Sequence, residues 1–164
     1  MLKLEAVASW VLARLPAPLH RWALGHAHTL RKFVWRHTGP TLNGCRILAL
    51  NAAGEVLLVR HSYGPPVWQP PGGGMHAQED PIIAAGRELA EELGCTLADA
   101  RLVVIEAEPL HGATNNVHIV RGTLVGTPRP DGREILEARF FAPEALPTEQ
   151  LRGLSARLPG WLAR

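Results

Sequence analysis

The 164-residue sequence contains only two cysteines, Cys45 and Cys95, and their separation matches no metal-binding or redox spacing. A disulfide framework is therefore excluded as the basis of the fold, and a reducing, cytoplasmic setting is expected. No apolar run approaches the ~20 residues that a membrane-spanning helix needs. Internal repeats and low-complexity segments are also missing. What remains is an ordinary globular composition, 46% hydrophobic and 20% charged, at a length suited to one domain.

The net charge of +2 conceals an asymmetry. Residues 1–40 carry six basic residues against the single acid Glu5, a balance of +5. The rest of the chain holds eleven basic and fourteen acidic residues, a balance of −3, so no nucleic-acid partner is expected for it. Leu4, Val7, Val11 and Leu15 fall at helical spacing, and a second stripe runs through Leu19, Trp22, His26, Leu30 and Phe33. Pro16 and Pro18 separate the two. We expect residues 1–40 to form a basic helical arm that packs on the main domain or on a second subunit. A surface layer on an anionic membrane, with Trp10, Trp22 and Trp35 as apolar anchors, is the less favoured alternative, followed by a targeting peptide. A two-fold homodimer is the commonest assembly open to such a chain.

Beyond the Gly39–Gly44 linker signal, the main domain is expected over 41–164. Residues 46–50 and 55–60 read as strands around an Asn51–Gly54 turn. A loop rich in glycine and proline follows over 64–74. Pro81–Leu93 reads as a helix, with Asp80 as its cap and Gly94 as its stop. Further strands are expected at 101–107, 117–125 and 135–141, and a helical tendency at 144–158. This order points to an α/β sandwich.

The chemistry-bearing residues concentrate in the helix at 81–93. Glu88, Glu91 and Glu92 are three and four positions apart and so share one side of a helix. Ile82, Gly86, Leu89 and Leu93 fall on roughly the other side and are expected to pack against a sheet. Arg87 precedes Glu91 by four residues and balances part of the charge. Carboxylates gathered in one patch repel unless something compensates. A hard dication such as Mg²⁺, with Mn²⁺ as the alternative, relieves that repulsion, favours oxygen ligands and activates water towards phosphorus. A remaining carboxylate is then available to accept the proton. The competing reading is a solvated helix face, since glutamate is a good helix former. Gly72, Gly73 and Gly74 shift the balance, because they leave backbone free to approach a ligand.

Gly73, five residues, Glu79, seven residues, Arg87-Glu88-Leu89, one residue, Glu91-Glu92, one residue and Gly94 together resemble the Nudix box. Its closing apolar position is Cys95 here. Trp68-Gln-Pro-Pro-Gly-Gly-Gly74 before the box and Glu134–Phe141 after it are also similar to members of that family. The resemblance spans about residues 41–158. It implies an α/β/α sandwich with a mixed sheet, and hydrolysis of the diphosphate linkage of a small nucleotide-like substrate. A nucleoside diphosphate derivative is preferred over a triphosphate, and a non-catalytic nucleotide-binding domain is the remaining alternative. It further implies metal ligation by Glu88, Glu91 and Glu92, with the Gly72 carbonyl as a further ligand and Glu88 as a candidate base. Gly73, Glu79 and Arg87 are implied as supports. Glu134 and Glu137, then Glu106 and Glu108, are late carboxylates that a member could use as base. Trp68, His111 and Asn116, with Asn115 and His118 beside them, are candidate substrate contacts, as are His61 and Tyr63. Core packing of Trp68 is the favoured alternative for that residue.

Overall fold

The computed structural model describes residues 38–164. The helices expected in the arm therefore lie outside the described residues. The described residues form five strands and two helices: β1 (Thr41–Leu50), β2 (Val56–His61), α1 (Pro81–Leu93), β3 (Thr96–Leu110), β4 (Ala113–Val125), β5 (Ile135–Phe141) and α2 (Leu154–Leu162). The sheet order is β3-β4-β1-β2-β5. The β1–β4 pair is parallel and the other pairs are antiparallel, so the sheet is mixed. No helix of the described residues is long and apolar enough to cross a membrane.

Strand alternation divides the core into two layers. Cys45, Ile47 and Ala49 of β1 with Leu57 and Val59 of β2 meet Ala84, Ala85, Leu89 and Leu93 of α1 on one side. Leu48, Val56 and Leu58 meet Trp68 and the α2 residues Leu154, Leu158 and Trp161 on the other. The result is the expected α/β/α sandwich.

β1 and β2 are joined by a turn built on Asn51, whose Oδ1 accepts from the amides of Ala53 and Glu55. Their ladder closes only at Leu50–Val56. The strands then part, and the loop after β2 fills the wedge with backbone bonds to both. The Val59 and Gln69 amides each donate to the other's carbonyl, at 2.8 and 3.0 Å. On the β1 side, Ile47 donates to Pro71 at 2.8 Å and Cys45 to Gly73 at 2.9 Å. The glycine segment is thus held like a short strand, with its buried backbone groups paired.

α1 starts where Asp80 Oδ1 accepts from the Ile82 and Ile83 amides at 2.8 and 3.2 Å, with Pro81 in the first turn. It stops at Gly94, which adopts φ 66° and donates to the Ala90 carbonyl. The buried stripe is Ala85, Leu89 and the Glu92–Leu93 pair, with Ala84 beside it. Ile82 is 38% exposed, so it does not pack as expected; it lies a turn earlier, at the capped end. β3 and β4 run longer than their apolar cores suggested, because each supplies the other's partners from Thr96–Val125 to Leu110–Ala113. The helix expected over 144–158 is displaced to α2. Residues before it form turns and pair with the loop, Trp68 donating to Glu149 and Leu151 to Trp68 at 2.8 Å each. Gly153, at φ 77°, begins the helix there.

Leu89 is fully buried between α1 and the sheet. Leu89→Ala should cost about 2–5 kcal/mol of stability. Asp80→Ala should cost about 1 kcal/mol through the lost cap. Urea unfolding should show both as lower midpoints at unchanged slope.

Candidate active site

α1 lies with its acidic side under the glycine segment. From Glu88, a helix turns −60° to Glu91 and +40° to Glu92 at about 100° per residue, so the two later glutamates diverge. Glu92 turns towards the sheet and its side chain is 7% exposed, while that of Glu91 is 62% exposed. Glu88 lies between, its carboxylate pressed against Gly73. A Cβ on Gly73 would stand 2.5 Å from the Glu88 carboxyl carbon, so any side chain there would displace that carboxylate. Gly72 is equally constrained: at φ 146° its backbone passes so close to the Cys45 carbonyl that no side chain has room.

Arg87 organises the surroundings. Its Nε and one terminal nitrogen donate to the two oxygens of Glu79 at 3.0 and 3.1 Å. The same terminal nitrogen donates to the Gly74 carbonyl at 3.0 Å, and the other reaches Glu88 at 2.8 Å and Glu91 at 3.5 Å. Glu79 also accepts from the His76 amide at 2.8 Å, which fixes the loop ahead of the helix. The expected supporting roles of Glu79 and Arg87 therefore have a geometric basis. The Arg87 guanidinium holds the Glu79 carboxyl down to about 2.

The two inward carboxylates, Glu88 and Glu92, shift the other way from Glu79. Burial pushes Glu88 up to about 7, against the pull of Arg87 and with further upward pressure from Glu92 and Glu91. Burial likewise raises Glu92, opposed by His61 and the Gly72 amide and reinforced by Glu134. Glu92 Oε2 is buried without a hydrogen-bond partner. Beside this cluster opens a cleft of about 750 Å³, whose walls include Asn43, Gly44, His61, Tyr63, Gln69 and Gly72–Gly74. The cleft abuts the carboxylates through His61 and the glycine segment rather than being lined by them.

The other expected residues separate clearly. Glu134 follows an Asx turn, with Asp131 Oδ1 accepting from the amides of residues 133, 134 and 135 at 3.0 Å. Its carbonyl accepts from Ser62, Tyr63 Oη donates to its Oε2 at 3.4 Å, and its charge acts on Glu92. Glu137 is a correction. It pairs with Arg60 at 3.0 Å and Arg139 at 2.9 Å on the α2 face, away from Glu88 and Glu92. The cause is a bulge: His61 faces Ile135 while Arg60 faces Glu137, so Leu136 is the extra residue and the alternation inverts.

Trp68 is a second correction to the candidate substrate contacts. It is 7% exposed, meets Phe141 edge-on at 5.0 Å and lies under Arg60 and Arg139. Its neighbours Val67 and Gln69 line the cleft in its place. His111 lines the cleft, as does Asn115. Asn116 alternates to the α1 face and bonds Asn43 at 3.4 Å. His118 contacts the Gly44 and Asn116 carbonyls at 3.2 Å. Glu106 and Glu108 are bound into a network with Arg46, Arg157 and the Trp161 indole on the α2 face. Gln69 was not singled out from sequence, because a lone glutamine in a proline-rich run carries no chemical signature.

Among the described residues, no three histidine, cysteine or acidic side chains converge as a ready metal cage. Glu88 and Glu92 nevertheless fit a cation: both carboxyls are desolvated, and one buried oxygen has no donor. Glu91 points to solvent beside Arg87 and fits less well.

A mixed sheet between two helices, with a glycine segment held over an acidic helix, defines a recurring class of domain. The NUDIX domain profile matches residues 41–162, and the chain belongs to that family. The MutT NUDIX hydrolase of Burkholderia pseudomallei superposes with a TM-score of 0.65 at 24% identity, covering 73% of this chain and 96% of that one. The MutT protein of Methanosarcina mazei Go1 gives 0.62 at 21% identity, covering 77% and 99%. At these identities the likeness establishes the fold. An RNA pyrophosphohydrolase of Rhodospirillum rubrum is 46% identical over 55 residues, 34% of this chain and 33% of the relative. One from Alkalilimnicola ehrlichii is 46% identical over 57 residues, 35% and 31%. The matched segment thus spans about a third of these curated relatives.

The Arg87–Glu79 pair should give stability a defined acid limb. A carboxyl depressed in the folded protein contributes stability above its unfolded value near 4.5, and loses it as pH falls towards about 2. The melting-temperature gap between wild type and Glu79→Gln should therefore be constant above about pH 5 and close progressively below it. A gap that persists unchanged at pH 2.5 would count against the pair.

Proposed function

We propose that this protein is a Mg²⁺-dependent hydrolase that cuts the diphosphate linkage of a nucleoside diphosphate derivative, such as ADP-ribose or a nucleotide sugar. The observation that carries the reading is the buried, unpartnered Glu92 Oε2 next to Glu88, at the edge of a cleft of about 750 Å³. An unsatisfied buried carboxylate oxygen is costly, and a bound cation is the economical explanation. The cleft has the volume typical of small-molecule sites.

Glu88 and Glu92 would hold the ion, with Glu91 joining them by rotation of its exposed side chain. The ion, when bound, would offset charge developing on the phosphoryl oxygens and make water more acidic. Burial raises Glu88 to about 7 in the metal-free protein, and a bound ion would hold it ionised, so that Glu88 and Glu134, whose charge acts on Glu92, are the candidate proton acceptors. Arg87 keeps Glu88 and the Gly74 carbonyl in fixed relation, so the loop and the acid do not drift apart. Attack by water on one phosphorus would yield a nucleoside monophosphate and a phosphorylated group.

A second reading, cleavage of a triphosphate, is favoured by the names of the RNA pyrophosphohydrolase relatives. It brings the 5′-triphosphate end of an RNA into the test alongside free nucleoside triphosphates. The pure protein should be incubated with Mg²⁺ and nucleoside diphosphate sugars, ADP-ribose, nucleoside triphosphates and a 5′-triphosphorylated oligoribonucleotide, with products resolved by chromatography. Preferential cleavage of a diphosphate derivative supports the proposal. Preference for a triphosphate selects the second reading, and no cleavage with Mg²⁺ or Mn²⁺ selects a binding role. Glu92→Gln should retain the fold and lower turnover by about 100-fold or more, the scale on which positioned acid–base and charge-stabilising groups act.

A further inference from the structure

We propose that His61 is a positioning residue for Glu92, its ring held by Gln69 in the tautomer that presents an Nε2–H to the Glu92 carboxylate. The inference rests on Glu92 belonging to the reactive site, but its first test needs neither metal nor substrate.

His61 is the last residue of β2, and the ladder shifts register between it and Arg60. The extra residue of that shift is Leu136 in β5, so β2 keeps its alternation and His61, two beyond Val59, faces the α1 side, with its side chain 8% exposed and that of Glu92 7% exposed. Nδ1 stands 2.6 Å from Gln69 Nε2. With the Gln69 amide turned so that its nitrogen faces the ring, Nδ1 accepts and the ring proton resides on Nε2, the tautomer assigned in this proposal. That atom lies 3.7 Å from Glu92 Oε1. Closing to a hydrogen bond of about 2.9 Å requires only a small side-chain rotation. The ring thus stands beside one oxygen of Glu92, while the other, Oε2, has no partner.

Gln69 is itself anchored, since its backbone exchanges both hydrogen bonds with Val59, the residue two before His61 on the same face. The relay Gln69–His61–Glu92 thus starts from sheet-like backbone and ends on the carboxylate. Tyr63 packs on the imidazole at 5.4 Å and limits its rotation. A histidine buried merely to fill the core would not require a fixed tautomer, nor would it face the one carboxylate that carries an orphaned oxygen.

The first measurement is a long-range ¹H–¹⁵N spectrum of the metal-free protein at about pH 9, well above the ordinary imidazole value of about 6.5. A ring protonated at Nε2 alone is expected; protonation at Nδ1 overturns the proposal. The second is Mn²⁺ affinity by electron paramagnetic resonance. His61→Phe, which keeps the ring volume and removes the donor, should bind about 10- to 100-fold more weakly, the effect of losing a partner that orients a ligand. Gln69→Met should weaken binding in the same direction, and the double variant should be no weaker than His61→Phe alone. Wild-type affinity in folded His61→Phe overturns the proposal. If that variant does not fold, Gln69→Met decides, and an unchanged tautomer with unchanged affinity overturns it. Wild-type protein that binds no Mn²⁺ overturns the metal role of Glu92 and this inference with it, whereas an Nδ1–H ring removes only the inference.

Discussion

The guanidinium of Arg87 ties the acidic helix to the two loop segments that precede it. It reaches Glu79 in the loop before α1, the Gly74 carbonyl in the glycine segment, and Glu88 on its own helix. Arginine is suited to this because its planar fork of donors fixes direction as well as charge. A lysine would neutralise one carboxylate but could not bind Glu79 through both oxygens while bonding a carbonyl and a third acid. The strength is visible in the acid–base behaviour: Glu79 is held at about 2, and Arg87 itself is raised, first by Glu79. Because Arg87 is only half buried, these interactions orient the loop more than they stabilise the fold.

The same geometry depends on the wedge between β1 and β2. Had the two strands paired along their full length, no space would exist for the segment 69–75. Their early divergence after Leu50–Val56 lets that segment bond to both sides and lie directly over α1. Glycine is required at the closest point, where Gly72 passes the Cys45 carbonyl, and at Gly73 a side chain would displace the Glu88 carboxylate. Backbone pairing, glycine and arginine therefore act together, each fixing a different component of one placement.

Much of this was legible in the chain. Asp80, Pro81 and Gly94 bracket α1 because capping and left-handed stops are local chemistry. The spacing of Arg87, Glu88, Glu91 and Glu92 identified the acidic helix for the same reason. Register was less legible. Counted from Ile135, simple alternation puts Glu137 on the α1 face, and only the bulge at Leu136 moves it to the other side, against Arg60. Asn115 and Asn116 posed a similar ambiguity, since a one-residue choice decides which of them faces the cleft. Helical spacing also failed to separate Glu91 from Glu92. Which of two adjacent glutamates turns inward depends on where the sheet lies, and helix period alone does not contain that information. The Glu92–His61–Gln69 contact joins three segments distant in sequence and left no local pattern to read.

The placement of Glu92 has an energetic consequence. A buried polar atom without a partner costs roughly 1–3 kcal/mol, more if charged. Here that atom sits within the stripe that packs α1 onto the sheet, between Leu89 and Leu93. An apolar residue would pack there at no such cost, so the position opposes stability in the ligand-free protein. Burial raises both Glu88 and Glu92, with Glu92 adding to the rise at Glu88 and Glu134 to that at Glu92. The unfavourable carboxylate terms are concentrated there, while on the α2 face Glu106 and Glu108 pair with Arg46 and Arg157. Any cation held by Glu88 and Glu92 would reverse those terms and couple its binding to folding. The two faces of one sheet thus differ in kind: the α2 face sets Glu106 and Glu108 against arginines, and the α1 face carries a buried carboxylate oxygen that no group of the described residues pairs.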